Sequence, residues 1–156
     1  MVNHGNKIPF LVFLLAFILV FTGIGGIYGG YSFITAPDGS KLQMSTDILS
    51  NSPFNTFMFP GIILLIFNGI LPLLVVWGLF VKPPWQWPEI FSLYHKQHWC
   101  WTFALYYGLI LIIWINIQIM LLGYSSLLQP IFALTGVFIV ILTLLPSVTR
   151  YYKKYN

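Results

Sequence analysis

The side chains that could perform acid–base or metal chemistry are few and lie in the polar segments of this chain. The acids are Asp38, Asp47 and Glu89, and none falls inside an apolar stretch. A proton-coupled transporter usually needs an ionisable group at membrane depth, and a metal-assisted hydrolase needs clustered carboxylates or histidines. His95 and His98 could share one helix face, but two histidines alone are a weak indication of a metal site. We therefore expect no metal and no other cofactor. A membrane enzyme using Asp38, Asp47 or the His95/His98 pair is the last of our hypotheses.

The chain has a single cysteine, Cys100. A disulfide within the chain is therefore impossible, and there is no Cys-x-x-Cys pair for thiol redox chemistry or a thiolate zinc site.

Polar side chains inside apolar stretches are the remaining candidates for a site. They are Asn68, Trp114, Asn116, Gln118 and Gln129. An unpaired amide is costly in hydrocarbon, so each should find a partner or face a cavity. Asn116 and Gln118 lie about 200° apart around a helix. Their helix is therefore either central in a bundle or packed against another chain, and a polar intramembrane site is the alternative.

Composition places most of the chain in lipid. The 156 residues are 58% hydrophobic and 6% charged, with a mean hydropathy of +0.86, whereas soluble domains are about 25% charged. The net charge of +4 does not indicate nucleic-acid binding, because the basic residues are scattered along the chain. Such residues orient a membrane protein and contact lipid headgroups. Membrane lipids are thus the expected partners.

Apolar segments cover about 9–34, 57–81, 99–122 and 127–147. Each is near the ~20 residues that cross a ~30 Å hydrocarbon layer, and backbone groups in lipid must be paired internally. The sequence predicts an all-α membrane protein, a four-transmembrane-helix bundle that forms a single domain over 1–156. The first segment is longer than the roughly 7–15 residues of a signal-peptide core, so we expect it to be retained.

Basic residues predict the orientation of these helices. Six of the seven would lie on one side of the membrane, namely Lys7, Lys82, Lys96, Arg150, Lys153 and Lys154, and only Lys41 lies on the other. Cytoplasmic loops are enriched in Lys and Arg. We therefore expect both termini in the cytoplasm and an outer loop between helices one and two.

The two long loops contain different signals. In the outer loop, turn and cap roles are expected for Asp38 and Asp47, and Ser45 or Thr46 is expected to cap a short helix through Ile48 and Leu49. In the inner loop, a short interfacial helix is expected over 89–97. Tryptophans suit the headgroup level, and this is the predicted place of Trp85, Trp87, Trp99 and Trp101.

Glycines are concentrated in the first helix, at Gly23, Gly25, Gly26, Gly29 and Gly30. Small residues four positions apart let two helices approach closely in lipid. Packing within the chain is the first interpretation, and contact with a second copy or a partner membrane protein is the other. The pattern is not a nucleotide-binding loop, because the Gly-x-Gly-x-x-Gly spacing fails.

Two further helices contain polar or kinking residues. Pro72 lies one turn after Asn68. A proline leaves a backbone carbonyl of the preceding turn without its hydrogen bond, so a kink is expected there. Gln129, Gly136 and Thr143 form a stripe at heptad spacing, which we expect to face Gln118 or Asn116.

Several short motifs resemble those of a family of small four-span bacterial membrane proteins. They are Ala36-Pro37-Asp38-Gly39-Ser40, Ser52-Pro53-Phe54, Pro60-Gly61, Trp114-Ile115-Asn116-Ile117-Gln118 and Leu128-Gln129-Pro130. The resemblance extends from about Phe33 to Pro146 and implies a location in the bacterial cytoplasmic membrane. The family is uncharacterised, so the resemblance implies no activity and no catalytic residue.

The first functional hypothesis is a non-catalytic membrane protein that acts through helix–helix contacts, as an accessory subunit or a homo-oligomer. The glycines and the opposed amides motivate it. The alternative is a binder or carrier of a lipid or another apolar molecule, with Trp114 and Gln118 in its site.

Overall fold

The computed structural model describes residues 7–124 and 126–154, which are mostly helical. The remaining residues of the predicted domain 1–156 lie outside the described part. The helices are α1 (Phe10–Thr35), α2 (Met58–Val81), α3 (Trp87–Ile90), α4 (Trp99–Leu122), α5 (Leu128–Leu144) and α6 (Pro146–Tyr151). Among the described residues, α1, α2 and α4 are long and apolar enough to cross a membrane, and α5 is a shorter apolar helix. The chain is therefore an all-helical protein with the features of an integral membrane protein.

The fourth predicted helix is shorter than the sequence suggested. We expected it to continue to about residue 147, but α5 ends at Leu144 after 17 residues. Leu145 is extended, with ψ of 139°, and Pro146 begins α6. A residue before proline is driven out of the helical region, whereas proline suits the first turn of a new helix. The other predicted ends agree with the structure within one or two residues.

The long helices pack as two close pairs. Helix α1 lies along α2, and α4 lies along α5. The pairs meet where α1 contacts α5 and where the Leu71–Val81 part of α2 contacts α4. The buried core between them is formed mainly by aliphatic residues of all four helices, including Val12, Leu15, Leu19, Val75, Leu79, Leu105, Leu111, Ile115, Ile139 and Leu142.

The middle of α2 is π-helical over Leu64–Ile70. The N–H of Leu71 donates to the carbonyl of Ile66, five residues earlier. Pro72 follows directly, and in an α-helix its ring would clash with the carbonyl of Asn68. The wider π turn accommodates that clash. A π segment therefore lies directly before Pro72, where the sequence predicted a kink.

We call the end of the molecule that contains residues 82–98 and α6 the terminal end. There the Tyr152 hydroxyl donates to the carbonyl of Leu79 at 2.8 Å, and Lys154 forms an ion pair with Glu89 at 2.6 Å. The sequence predicted a helix over 89–97, but this described segment is not helical beyond Ile90, where the short helix α3 ends. Gln97 instead pairs with Lys153 in an isolated bridge. The C-terminal segment therefore holds this loop by strand-like pairing and an ion pair.

Trp99 and Trp101 face the interior, which the sequence did not predict. Trp99 is 1% and Trp101 3% exposed. The Trp99 indole donates to the carbonyl of Pro83 at 3.0 Å, and that of Trp101 to the carbonyl of Thr143 at 2.8 Å. Both rings therefore join α4 to neighbouring segments.

Candidate functional site

A partly enclosed pocket of about 320 Å³ lies at the other end of the molecule, which we call the loop end because it contains residues 36–57. Its wall is formed by the end of α1, the loop, the start of α2 and the last two turns of α4. The lining residues are Phe33, Met44, Leu49, Ser52, Pro53, Phe54, Phe57, Pro60, Ile63, Trp114, Ile117, Gln118, Leu121 and Leu122. None of them is charged.

The pocket exists because α2 and α4 are in close contact over only part of their length. Leu71–Val81 packs against α4 near the terminal end. Nearer the loop end, the 3-10 turn Thr46–Asn51 lies against α4 in place of α2. The space left between α2 and α4 is thus covered by the loop.

Local hydrogen bonds fix the shape of this loop. Asp38 accepts bonds from the backbone N–H and the hydroxyl of Ser40 at 3.1 and 2.8 Å. These bonds hold the pKa of the Asp38 carboxyl below its usual value. Ser45 accepts from the N–H of Asp47 and caps the turn Thr46–Asn51. Asp38 therefore has the turn role that the sequence predicted. The cap is Ser45, as predicted, whereas Asp47 is the capped residue and its carboxylate accepts from the Ser45 hydroxyl at 2.8 Å.

The loop is also fastened to the helices. The N–H of Phe57 donates to the carbonyl of Pro37 at 2.8 Å, and the rings of Phe33 and Phe57 stack with centroids 4.7 Å apart. Ser52 donates to the carbonyl of Leu49 and accepts from the N–H of Phe54. The Ser52 hydroxyl is thus hydrogen-bonded to the loop backbone, although Ser52 lines the pocket.

Two of the five predicted polar residues, Trp114 and Gln118, line the pocket together. They are four residues apart on α4, so their side chains are neighbours on one face of that helix. The indole nitrogen of Trp114 is buried and has no hydrogen-bond partner among the described residues. Gln118 is half-buried beside it.

The other three predicted polar residues lie elsewhere. Asn116 is exposed, and its amide donates to the carbonyl of Ile112 at 2.8 Å in its own helix. Gln129 is buried and donates to the carbonyl of Gly123 at 3.2 Å. Asn68 is buried on the π segment of α2 and does not line the pocket. The structure therefore does not bring the five residues into one site.

The stripe on α5 faces α4 at a different level from the one expected. Gly136 packs against the carbonyl of Gly108 and the backbone and side chain of Ile112. Thr143 lies beside Trp101 near the start of α4, because the Trp101 indole donates to the Thr143 carbonyl at 2.8 Å. The prediction that the stripe would face Gln118 or Asn116 is wrong for these two residues, because small residues on both helices bring α4 and α5 together around Gly108.

The glycines of α1 divide into two groups. Gly23, Gly26 and Gly30 are buried, and a Cβ added to any of them would meet α2 at less than 3.0 Å. Gly25 is exposed and faces open space, and Gly29 is half-buried beside the side chain of Leu64. Three of the five glycines thus allow the close approach of α1 and α2 within this chain.

The two histidines do not form a shared site. His98 caps the start of α4, where its Nδ1 accepts from the N–H of Cys100 at 3.4 Å. Burial lowers the pKa of His98, which favours the neutral ring that this cap requires. His95 is exposed. Over residues 7–124 and 126–154, no three His, Cys, Asp or Glu side chains come together as a metal site could require.

Most of the pocket wall was not predicted from the sequence. Apolar residues such as Met44, Phe54, Ile63 and Leu121 line it, and their types do not differ from those that face lipid or the core. Comparison with family models, curated proteins and solved structures finds no match to this chain.

Proposed function

We propose that this chain is a non-catalytic integral membrane protein that binds a lipid or another apolar molecule in the pocket at its loop end. The observation that supports this most directly is the pocket itself, which is wide enough for a ligand, almost wholly apolar and free of charged side chains. Small-molecule sites typically have volumes of about 300–1,000 Å³ and apolar walls with a few polar groups. The pocket fits the lower part of this range.

Membrane placement supports an apolar ligand. Helices α1, α2 and α4 have the length and composition of spans, and α5, at 17 residues, is at the lower limit for crossing the hydrocarbon core. A pocket at the end of such helices can be filled from the lipid phase. A charged ligand is disfavoured because burying an unpaired charge among uncharged side chains is costly.

For topology we propose four spans in a bacterial cytoplasmic membrane, with both termini in the cytoplasm and the loop at residues 36–57 outside. The distribution of basic residues supports this orientation. Because Cys100 is the single cysteine, Cys100→Ala gives a background for labelling. In intact cells, we expect an impermeant maleimide to label Ser40→Cys, and to label Lys153→Cys only after permeabilisation. The reverse pattern would overturn the orientation.

Photolabelling tests the binding function. The full chain in lipid discs would be exposed to a trace of a long-chain alkyl diazirine, and labelled residues would be mapped by mass spectrometry. We expect labelling of the pocket wall at Ile63 and Leu121 to be abolished by a small mole fraction of unlabelled probe, because a site saturates and bulk lipid does not.

The exposed apolar groove between α1 and α5, which includes Phe17 and Leu134, provides the internal control. Its labelling should decline only in proportion to probe dilution. If the pocket and the groove are competed equally, the pocket is ordinary lipid-facing surface and the proposal fails.

A second candidate is action through helix contacts, as an accessory subunit or homo-oligomer. The exposed side of α4 supports it, because Asn116 presents an amide there beside Ile113, which is 57% exposed, and Met120, which is 77% exposed. An amide on a lipid-facing surface can bond across to another helix. If this candidate is correct, Asn116→Leu should shift the protein from oligomer to monomer in lipid discs, as measured by mass photometry or native mass spectrometry.

A further inference from the structure

Residues 87–94, which comprise α3 and the turn after it, present an apolar surface at the terminal end. Ile90 and Leu93 are the most exposed, at 80% and 79%. The exposed apolar side chains of this segment are Trp87, Ile90, Phe91, Leu93 and Tyr94. Such a cluster would be unfavourable in water, and an exposed apolar patch marks contact with a partner or a membrane.

The segment is fastened to the side of α4. The Tyr106 hydroxyl donates to the carbonyl of Phe91 at 3.0 Å and accepts from the N–H of Leu93 at 3.1 Å. The hydroxyls of Ser92 and Thr102 are buried and 2.9 Å apart. The turn after α3 therefore lies beside the first turns of α4 rather than beyond the end of that helix.

The length of α4 indicates the depth of this contact. The 24 residues of α4 extend about 36 Å, whereas a hydrocarbon layer is about 30 Å thick, so about 3 Å projects at each end of a centred helix. Thr102 lies about 5 Å along the axis from the start of α4 at Trp99. Segment 87–94 is therefore at the boundary between lipid headgroups and acyl chains.

The backbone of the segment is paired internally. The N–H groups of Phe91 and Ser92 each donate to a carbonyl three residues earlier, at 3.1 Å, and that of Leu93 donates to Tyr106. A loop in water can bond solvent instead, but a non-helical backbone near lipid needs partners within the protein. Paired N–H groups beneath exposed apolar side chains suit a segment that contacts the membrane.

The terminal end is also basic. Over residues 82–98 and 146–154 the sequence has five Lys or Arg residues and one acid, Glu89, which is already ion-paired. Lys96 and Lys153 are exposed, and the bridge between the two strand-like segments holds them close to the apolar turn. Basic side chains at a membrane surface attract anionic headgroups.

We infer, independently of the pocket, that segment 87–94 is inserted into the lipid leaflet at the terminal end, with anionic headgroups beside it. Ile90 and Leu93 contact the acyl chains, while Lys96 and Lys153 remain at headgroup level, as in interfacial membrane anchors. A soluble partner protein fits this surface less well, because the apolar side chains would face water whenever the partner was absent.

Nitroxide labels at single cysteines measure the depth of the segment. On the Cys100→Ala background, labelled chains would be placed in vesicles of phosphatidylcholine and phosphatidylglycerol, with a water-soluble nickel chelate on both sides. Oxygen concentrates in the bilayer and the chelate in water. We expect the ratio of oxygen to nickel collisions at Ile90→Cys and Leu93→Cys to be several-fold higher than at Lys153→Cys. It should approach the ratio at Leu134→Cys, on the exposed side of α5.

Two results would overturn the insertion. A ratio at Ile90→Cys and Leu93→Cys equal to that at Lys153→Cys would place the segment in water. Labels shielded from both oxygen and nickel would show that protein covers the segment, either a second copy of this chain or a partner.

The lipid preference is measured with chain-labelled phosphatidylglycerol and phosphatidylcholine, whose motion is restricted at a protein surface. Wild type should restrict a larger fraction of phosphatidylglycerol, and the double variant Lys96→Gln, Lys153→Gln should reduce that excess. Lys41→Gln, at the loop end, should leave it unchanged. Equal restriction of both lipids by wild type, or an equal loss in Lys41→Gln, would refute anionic headgroups as the partner of this segment.

Discussion

At the scale of single residues, the carboxamide of Asn68 is a buried polar group without hydrogen-bond partners among the described residues. The side chain is 4% exposed, and neither its oxygen nor its nitrogen has a hydrogen-bond partner among the described residues. It lies on the π segment of α2, just before Pro72. A buried amide without partners destabilises the folded state by its lost solvation.

Replacing Asn68 with leucine should therefore stabilise the protein. Leucine has a similar shape and no polar atoms, so we expect the free energy of unfolding to rise by about 1–3 kcal/mol. The measurement is unfolding by SDS titration in mixed micelles. Asn116→Leu is the matched control and should change the value little, because Asn116 is exposed and its amide is bonded within α4. Destabilisation by Asn68→Leu would show that the amide has a partner in the membrane.

His98 makes the start of α4 sensitive to pH. Burial lowers its pKa below the ordinary value of 6.5, so the unfolded chain binds a proton more readily than the folded chain. The stability that neutral His98 contributes is thus fully present above about pH 6.5 and is lost as the pH falls below it. We therefore expect stability to decline as the pH falls from about 7 through 6.5, the ordinary pKa of histidine, towards the lowered pKa of folded His98.

His98→Asn separates this effect from other titrations. Asparagine keeps a cap acceptor but does not titrate, so the variant should show a smaller decline in stability over the same pH range. An unchanged pH profile would mean that protonation of His98 is not the cause.

Residue types alone identified the polar side chains within apolar segments, but they did not predict which of these side chains line a common pocket. Trp114 and Gln118 line one pocket because they are a helical turn apart, and this spacing is visible in the sequence. The sequence did not show that Asn68 and Gln129 lie outside this pocket. Their positions depend on how α2 and α5 are rotated against their neighbours, and that rotation is set by packing over the whole helix.

At the scale of elements, the glycines of α1 determine how closely it approaches α2. A Cβ on Gly26 would lie 2.2 Å from the backbone oxygen of Asn68, whereas a Cβ on Gly25 would meet nothing within 4 Å. Backbone atoms cannot move aside as a flexible side chain can. Substitutions at these two adjacent glycines should therefore change the stability differently, although both lie on one helix.

We expect Gly26→Ala to lower the free energy of unfolding by about 1–3 kcal/mol, the usual cost of overpacking. Gly25→Ala should be neutral or raise it by up to about 1 kcal/mol, because alanine restricts the unfolded chain and favours a helix. Both values come from SDS titration of the two variants beside wild type. Equal effects of the two substitutions would contradict the close contact between α1 and α2.

Helix existence was more predictable than helix detail. The apolar lengths indicated the long helices, since only about 20 residues of such composition are needed for a span. The end of α5 at Leu144 and the π segment both result from prolines. The sequence shows where these prolines disturb a helix, but not whether the helix ends, bends or widens there. The inward rotation of Trp99 and Trp101 depends on acceptors far along the chain, at Pro83 and Thr143.

At the scale of the whole molecule, the two ends are built differently. The terminal end is fastened by the Tyr152 hydroxyl on Leu79, by the ion pair of Lys154 with Glu89, and by Lys82 over the ring of Tyr151. The loop end instead contains the pocket, which is closed by a loop held by its own hydrogen bonds, by stacking of Phe57 on Phe33 of α1 and by contact of Thr46–Asn51 with α4. A ligand in the proposed pocket would therefore lie away from the contacts that fasten the terminal end.

The most direct test of this account is the amount of bound apolar molecule per chain, measured by native mass spectrometry of protein extracted in lipid discs without detergent. Wild type and Leu134→Trp, which enlarges an exposed residue outside the pocket, should each retain one defined lipid or apolar compound. Leu121→Trp, which fills the pocket, should lose it. If all three proteins carry the same molecules, or none carries a defined one, the pocket is not a binding site and the account is contradicted.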